Sequence, residues 1–347
     1  MRLLDLIAQG RCPRVVPEER VELPGALPYS AILRECPLRY VLTDPLVVCA
    51  TQLGFAEGER LSSCLDLVFA PARCVWVEWA DGPRQEALRS LPGLNLPAQS
   101  GARRAGCLVQ AGSSGRTGEI RTFWSTPQDL AYLSPVITDF DLDGAPQPLA
   151  AHARALAGWD AVVRVSDEPA LDELLSHLRF RFDATWAGYY GQRCADERSR
   201  SEVLRRNLSA CAFDGPMLMA FFLLLAAGAL LPRQPVRHEQ LNRARRRAGK
   251  AELLEHVEVS APLGPIREHR PQRPGDSGRA APRLHHVRGH IVRRGSTIYW
   301  RSPHLRGSAR IGQIRSRTVV LRFPHTAPQV QSSPGNSPPR SFQTQAR

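Results

Sequence analysis

The sequence predicts an α+β fold, a mainly antiparallel central sheet covered by helices, with a small basic β-hairpin or three-stranded module near the C-terminus. Three observations predict it. Short runs rich in β-branched and aromatic residues, bounded by turn residues, occupy 65–141. Leucine-rich stretches with helical spacing follow from 146 onward. The last third carries nearly all of the excess positive charge. With 347 residues and 43% apolar content the chain can bury a sizeable core, which excludes disorder throughout.

Up to about residue 70, short apolar runs alternate with Pro13, Pro17, Pro24, Pro28, Pro37 and Pro45, so short helices joined by turns are expected. LDLVF (65–69) and CVWVEW (74–79) read as two strands, closed by the Asp81-Gly82-Pro83 turn. CLVQA (107–111) and GEIRTFWS (118–125) flank a Gly/Ser turn at 112–115 and read as a hairpin, and VITDFD (136–141) adds a strand. LAAHARALAGWDAVV (149–163) reads as helix. So does 167–182, where Leu171, Leu174, Leu175 and Leu178 form one face. The run 217–231, MLMAFFLLLAAGALL, is 15 residues long, short of the roughly 20 that span a bilayer. It reads as a fully buried helix capped by Asp214, tolerating Pro216 in its first turn and stopped by Pro232. No membrane association is expected.

The boundaries predicted are a main α+β domain at 1–260, a Pro/Gly/Arg-rich linker at 261–283, a basic β-rich module at 284–323 and a disordered tail at 324–347. Residues 1–232 hold 23 basic and 27 acidic residues, whereas 233–347 hold 23 basic and 6 acidic. Because 45 of the 46 basic residues are Arg and only Lys250 is Lys, a GC-rich coding bias contributes to that excess. Eight cysteines at irregular spacing, without C-x-x-C, read as buried free thiols of a cytoplasmic protein rather than a zinc or redox site. The N-terminus lacks the unbroken apolar region of a signal peptide, with Asp5 inside it.

The stretch 284–323 contains nine Arg, four His and no acidic residue. HHVRGHIVRR, a Gly295-Ser296 turn and TIYWR form a hairpin pattern, and TVVLRF (318–323) offers a third strand. Arg288, Arg293, Arg294 and Arg306, with Tyr299 and Trp300 between them, are suited to RNA: guanidinium groups neutralise phosphates and aromatic rings stack on unpaired bases. His290 and His304 belong to the same candidate surface. A second cluster, Arg243, Arg245, Arg246, Arg247 and Lys250, reads either as a polybasic RNA contact or as a solvated helix end before a docking strand. The alternative reading of the histidines is catalytic, with His286, His290 and His304 as acid and base of a metal-independent ribonuclease or other hydrolase. Asp139, Asp141 and Asp143 mimic the start of a calcium loop, but Ala150 stands where its bidentate Glu belongs. No metal site, cofactor or known catalytic motif is expected.

Three segments together, ARCVWVEW (72–79), the apolar helix with LNRARRRAGKAELLEHVEV after it, and PRLHHVRGHIVRRGSTIYWRSPHLRG (282–307), resemble the type V-A anti-CRISPR family of phages and plasmids. His286, Arg288, Gly289, His290 and Trp300 match its C-terminal pattern, while residues 303–307 depart from it. The resemblance implies a non-enzymatic, mobile-element-borne regulator that recognises a nascent peptide emerging from the ribosome and causes loss of the message being translated. Its partners would be a nascent peptide or host protein and RNA or the ribosome. A phage structural or packaging accessory protein is the third reading.

Overall fold

The computed structural model describes residues 1–12, 15–16, 21–22, 29–91, 94, 101–145, 154–155, 160–162, 169–194, 196–227, 231–261, 283–287, 290–294, 297–301, 304–306 and 308–313. The α+β expectation holds. The central sheet is built from β1 (Leu38–Leu42), β2 (Cys74–Ala80), β3 (Arg104–Ala111), β4 (Thr117–Ser125), β5 (Ala131–Asp141), the short β6 (Arg154–Ala155) and β7 (Asp160–Val162), β8 (Leu178–Phe182), β9 (Arg233–Val236) and β10 (His256–Val259). Their order is β9-β10-β1-β2-β3-β4-β5-β8-β7-β6. All neighbours are antiparallel except β10-β1 and β1-β2.

The predicted hairpin is β3 and β4, paired in register from Arg104↔Ser125 to Ala111↔Gly118. Gly115 takes φ +71° in its turn, where a side chain would collide with Ala70. CVWVEW is strand, as expected. Several expectations are corrected. LDLVF is not a strand: Leu65–Leu67 form a single 3-10 turn. Its carbonyls are satisfied instead by Arg116, whose Nη1 donates to Leu65 O and Val68 O at 2.9 Å each. The segment 149–163 is not one helix, since 154–155 and 160–162 pair as strands at the sheet edge. The 167–182 segment divides into α6 (Pro169–Leu175, the sixth helix in chain order) and strand β8, so Leu178 faces the core from the sheet. All four of its leucines are buried all the same.

The preceding helices are α1 (Leu3–Ala8), α2 (Tyr29–Glu35), α3 (Asp44–Phe55), α4 (Gly58–Ser62) and α5 (Asp81–Arg89). Those following are α7 (Ala184–Gly191), α8 (Glu197–Cys211), α9 (Asp214–Ala226) and α10 (Glu239–Arg247). α1 and α2 cover the sheet face that carries Trp76, Glu78 and Phe123; Tyr29 meets Phe123 edge-on at 5.3 Å. α9 covers the opposite face and is buried from Asp214 to Leu225, as its composition demands. α3 crosses it at Gly54, where a Cβ would lie 2.8 Å from Pro216 O. This close approach is open only to glycine. No helix among the described residues is long and apolar enough to cross a membrane.

The conspicuous CVWVEW motif is core architecture. Trp76 and Trp79 are wholly buried, and so is Glu78. Glu78 Oε1 and Oε2 accept the amides of Leu3 and Leu4 at 2.9 Å each, satisfying orphan donors at the start of α1. The indole of Trp76 and the guanidinium of Arg104 complete its shell.

The chain divides into two compact units, residues 1–267 with 288–303, and residues 268–287 with 304–347. In the first, His290–Arg294 and Thr297–Arg301 form the predicted hairpin, paired from His290↔Arg301 to Arg294↔Thr297. In the second, Arg283–Val287 pairs antiparallel with His304–Arg306 and parallel with Ser308–Gln313. The proposed strand 318–323, the tail 324–347 and nearly all of the linker 261–283 lie outside the described residues.

Candidate functional site

The tripeptide Asp-Gly-Pro occurs twice, at 81–83 and 214–216, and each copy opens a helix. Asp81-Gly82-Pro83 was expected to be a turn closing a strand. Instead it is the first turn of α5, where proline needs no amide donor. Asp214 was expected to cap α9, but it occupies the first helical position and directs its carboxylate elsewhere.

Both aspartates converge on Arg84. Asp81 Oδ1 accepts from Arg84 Nε at 3.0 Å, and Asp81 Oδ2 from Gln85 Nε2 at 3.3 Å. Asp214 Oδ1 pairs with Arg84 Nη1, and its Oδ2 accepts from Thr122 Oγ1 at 2.7 Å. Arg84 also lies over the Trp79 ring, 5.4 Å from its centroid. Burial pushes the Asp214 carboxyl above its ordinary range, and Arg84 and Thr122 draw it back only in part. Burial alone would lower the Arg84 pKa, but Asp214 and Asp81 outweigh it and hold the guanidinium charged. Thr122 continues to Cys107 (3.5 Å), and Cys211 contacts Ser134 Oγ at 3.0 Å. Burial raises both thiols, Cys211 to about 12. Neither is a thiolate nucleophile at neutral pH.

This network floors a cavity of about 450 Å³ whose other walls include Leu88, Ala105, Trp124, Pro127 and Phe213. From the sequence Asp81 and Asp214 read only as a turn and a helix cap, and no residue of this network was a candidate site. The repeated Asp-Gly-Pro was the available signal.

The basic cluster at 243–250 lies on α10 and just beyond it. In α10 the side chains of Arg243, Arg246 and Arg247 are exposed, as is Lys250 just beyond it. Spacing of three and four residues puts the three arginines on one face. Arg245 Nε donates to Ala251 O at 2.6 Å and helps close the helix, while Arg246 pairs with Glu252 at 2.7 Å. Arg243, Arg247 and Lys250 make no ion pair among the described residues. After the cluster, Leu254 is held by its amide to Asp5 Oδ1 at 2.9 Å and leads into β10.

The C-terminal candidates are divided. His290, Arg293, Arg294, Tyr299 and Trp300 are on the hairpin of the first unit. Arg293 is engaged: its Nη1 and Nη2 donate to the two carboxylate oxygens of Asp66 at 2.8 Å each, and Nη1 also to Ser63 O at 2.6 Å. Its guanidinium thereby holds the hairpin to the turn around Asp66. His286 and His304 lie on paired strands of the second unit, with Val287 opposite His304 and His285 opposite Arg306. Arg288 lies outside the described residues.

The acidic triplet is consumed structurally. Asp139 pairs with Arg181 at 2.7 Å, Asp141 accepts the amides of Asp143 and Gly144, and Asp143 binds Arg116 at 2.6 Å. No cluster that could hold a metal occurs among the described residues. Comparisons with protein-family models, curated proteins and solved structures find no match to this chain.

Proposed function

We propose that this chain is a non-catalytic silencing protein of the anti-CRISPR kind, which recognises a nascent peptide or partner protein and engages RNA or the ribosome through cationic surfaces of its last third. The observation that supports the RNA half best is α10. In the sheet domain Arg84, Arg104, Arg116, Arg121 and Arg181 are each held by carboxylates. A coding bias supplies arginine throughout, and folding uses it there. On α10 Arg243 and Arg247 stand exposed on one face beside Arg246 and make no ion pair among the described residues, while Arg246 pairs with Glu252. Such a stripe can neutralise backbone phosphates and reads no sequence.

The peptide half rests on the family likeness. Strand addition at the β9 edge is disfavoured, because Ser260 N–H donates to Pro232 O at 3.0 Å and sets the alternation. The groups of Arg233 and Pro235 then point outward, and Pro235 has no donor to give.

The test is anisotropy with a labelled single-stranded RNA across a salt series, alongside a reporter for message loss during translation. Charge reversal of Arg243, Arg246 and Arg247 together should reduce the salt slope by about 2, roughly 0.7 per lost phosphate contact. It should also abolish message loss. Unchanged binding, or cleavage of naked RNA by the purified chain, would defeat the proposal.

A further inference from the structure

The cavity above Arg84 joins a polar floor whose groups are spent on one another to walls that are apolar and aromatic. Its volume of about 450 Å³ falls within the range of about 300–1,000 Å³ typical of small-ligand sites. At the floor every carboxylate oxygen of Asp81 and Asp214 meets a donor. Asp81 Oδ1 takes Arg84 Nε at 3.0 Å and Nη2 at 2.9 Å, and Asp81 Oδ2 takes Gln85 Nε2 at 3.3 Å. Asp214 Oδ1 takes Arg84 Nη1, and its Oδ2 takes Thr122 Oγ1 at 2.7 Å. Cys211, also at the lining, is kept a neutral thiol by burial and behaves there as a small apolar group. A charged ligand would therefore shed its water against groups that already have partners. The walls offer the opposite. Trp124 stacks on Tyr132 at 6.3 Å, and Phe213 on Phe55 at 5.5 Å, and neither Tyr132 nor Phe55 lines the cavity. Both wall rings are thus held by aromatic neighbours outside the site, and Leu88, Ala105 and Pro127 continue the apolar lining. Water in such a space finds few partners, so an apolar occupant displaces it favourably. Rings already fixed in place favour an aromatic occupant, through offset or edge-on contacts that cost little ordering.

We propose that this cavity binds one uncharged, mainly aromatic small molecule, its rings packed against Trp124, Phe213 and Leu88. The paired floor of Asp81, Arg84 and Asp214 supplies the discrimination. It turns away acids and amines alike, because either ion would have to break an existing pair to gain a partner of its own. The proposal is independent of the RNA-facing role of α10.

The test is isothermal titration calorimetry on the full chain at pH 7 with naphthol, naphthoate and naphthylmethylamine, an uncharged, an anionic and a cationic form of the same pair of rings. Naphthol should bind one to one, at least tenfold tighter than either ion, and more exothermically as the temperature rises, the mark of apolar surface being buried. Trp124→Leu removes a wall ring and leaves the paired floor intact; it should weaken naphthol at least threefold. Ala102→Trp adds bulk at the lining, outside the charged network, and should weaken naphthol at least tenfold. It keeps the variants decisive should Trp124→Leu fail to fold, and the ligand series on the parent chain needs no variant at all. Absence of naphthol binding, an ion binding within tenfold of naphthol, or a smaller loss than stated in either folded variant would overturn the proposal.

Discussion

Replacing Glu78 by Gln should be among the most damaging conservative changes in this protein. The side chain is fully buried and accepts from Leu3 N, Leu4 N, Trp76 Nε1 and Arg104 Nε, so all its neighbours are donors. An amide of the same shape has only one acceptor oxygen, so its NH₂ must face an N–H of α1. Arg104, only 20% exposed, loses its counter-charge. Hydrogen bonds to a charged group contribute about 1.5–3 kcal/mol each but do not add. The limiting cost is that of stranding one member of a buried pair, about 3–5 kcal/mol. In a chain of this size each kcal/mol shifts Tm by about 2–4 °C, so a fall of about 6–20 °C is expected.

The assay is thermal and urea unfolding followed by tryptophan fluorescence, with amide exchange at Leu3 and Leu4. Exchange there should rise together with the loss of Tm. The companion Glu78→Leu with Arg104→Leu removes both charges and should recover part of the loss. A Tm within 2 °C of the parent, with Leu3 and Leu4 still protected, would show that Glu78 does not organise the N-terminus.

His256 supplies a pH-dependent prediction: burial lowers it to about 4 from 6.5, and its Nε2 has no partner among the described residues. Its folded pKa lies below its unfolded one, so its contribution is complete above about pH 6.5 and is lost as pH falls toward 4. That amounts to about 3 kcal/mol. Burial raises Asp5 and works in the opposite sense, so the measure is the difference in urea midpoint between parent and His256→Gln, which should close between pH 7 and 4. Gly54→Ala should destabilise despite the better helix propensity of alanine. Overpacking against Pro216 O costs about 1–3 kcal/mol against a propensity gain of about 1 kcal/mol, and a raised urea midpoint would contradict the tight α3–α9 crossing. Arg293→Ala should leave RNA affinity within twofold, because its guanidinium is bound to Asp66, whereas Arg247→Ala should lower it measurably in the same anisotropy titration.

The β2, β3, β4 and β5 strands were legible because each is buried on one or both faces and bounded by turn chemistry, and α9 because Met217 to Leu225 is buried throughout; the helix ends at the exposed Ala226, however, and not at Pro232 as expected. LDLVF misled for a reason visible only in three dimensions: Arg116, 48 to 51 residues away, supplies the donors that a neighbouring strand would otherwise provide. The short strands at 154–155 and 160–162 carry too few residues to show a period of two. Leu178 fitted a helical stripe because its neighbours Leu171, Leu174 and Leu175 are at helical spacing, but it packs on the same core from β8, against Gly215. Hydrophobic position survived where element type did not. Arg293 shows the converse, since the charge pattern identifies a basic residue but cannot reveal a partner 227 positions earlier in the chain.

The two Asp-Gly-Pro copies show how a charged site is built inside a core that is otherwise apolar. Proline fixes the chain direction at each helix start without stranding an amide, so an aspartate two positions earlier projects from a determined place. Gly215 lets α9 settle onto Leu178, where a Cβ would collide. The same geometry aims Asp214 across to Arg84, which rises from the turn following the other copy. Each carboxylate alone would be a costly buried charge, and Arg84 alone would be costlier still. Together they are stable only as a set, which makes them a poor means of adding stability and a good means of placing a fixed charge beneath an apolar cavity. Replacing Asp81, Arg84 and Asp214 simultaneously by Asn, Met and Asn should therefore keep the fold better than Asp214→Asn alone, in unfolding midpoint. If the triple variant proves the less stable, the charged set stabilises the fold more than apolar packing at the same place would.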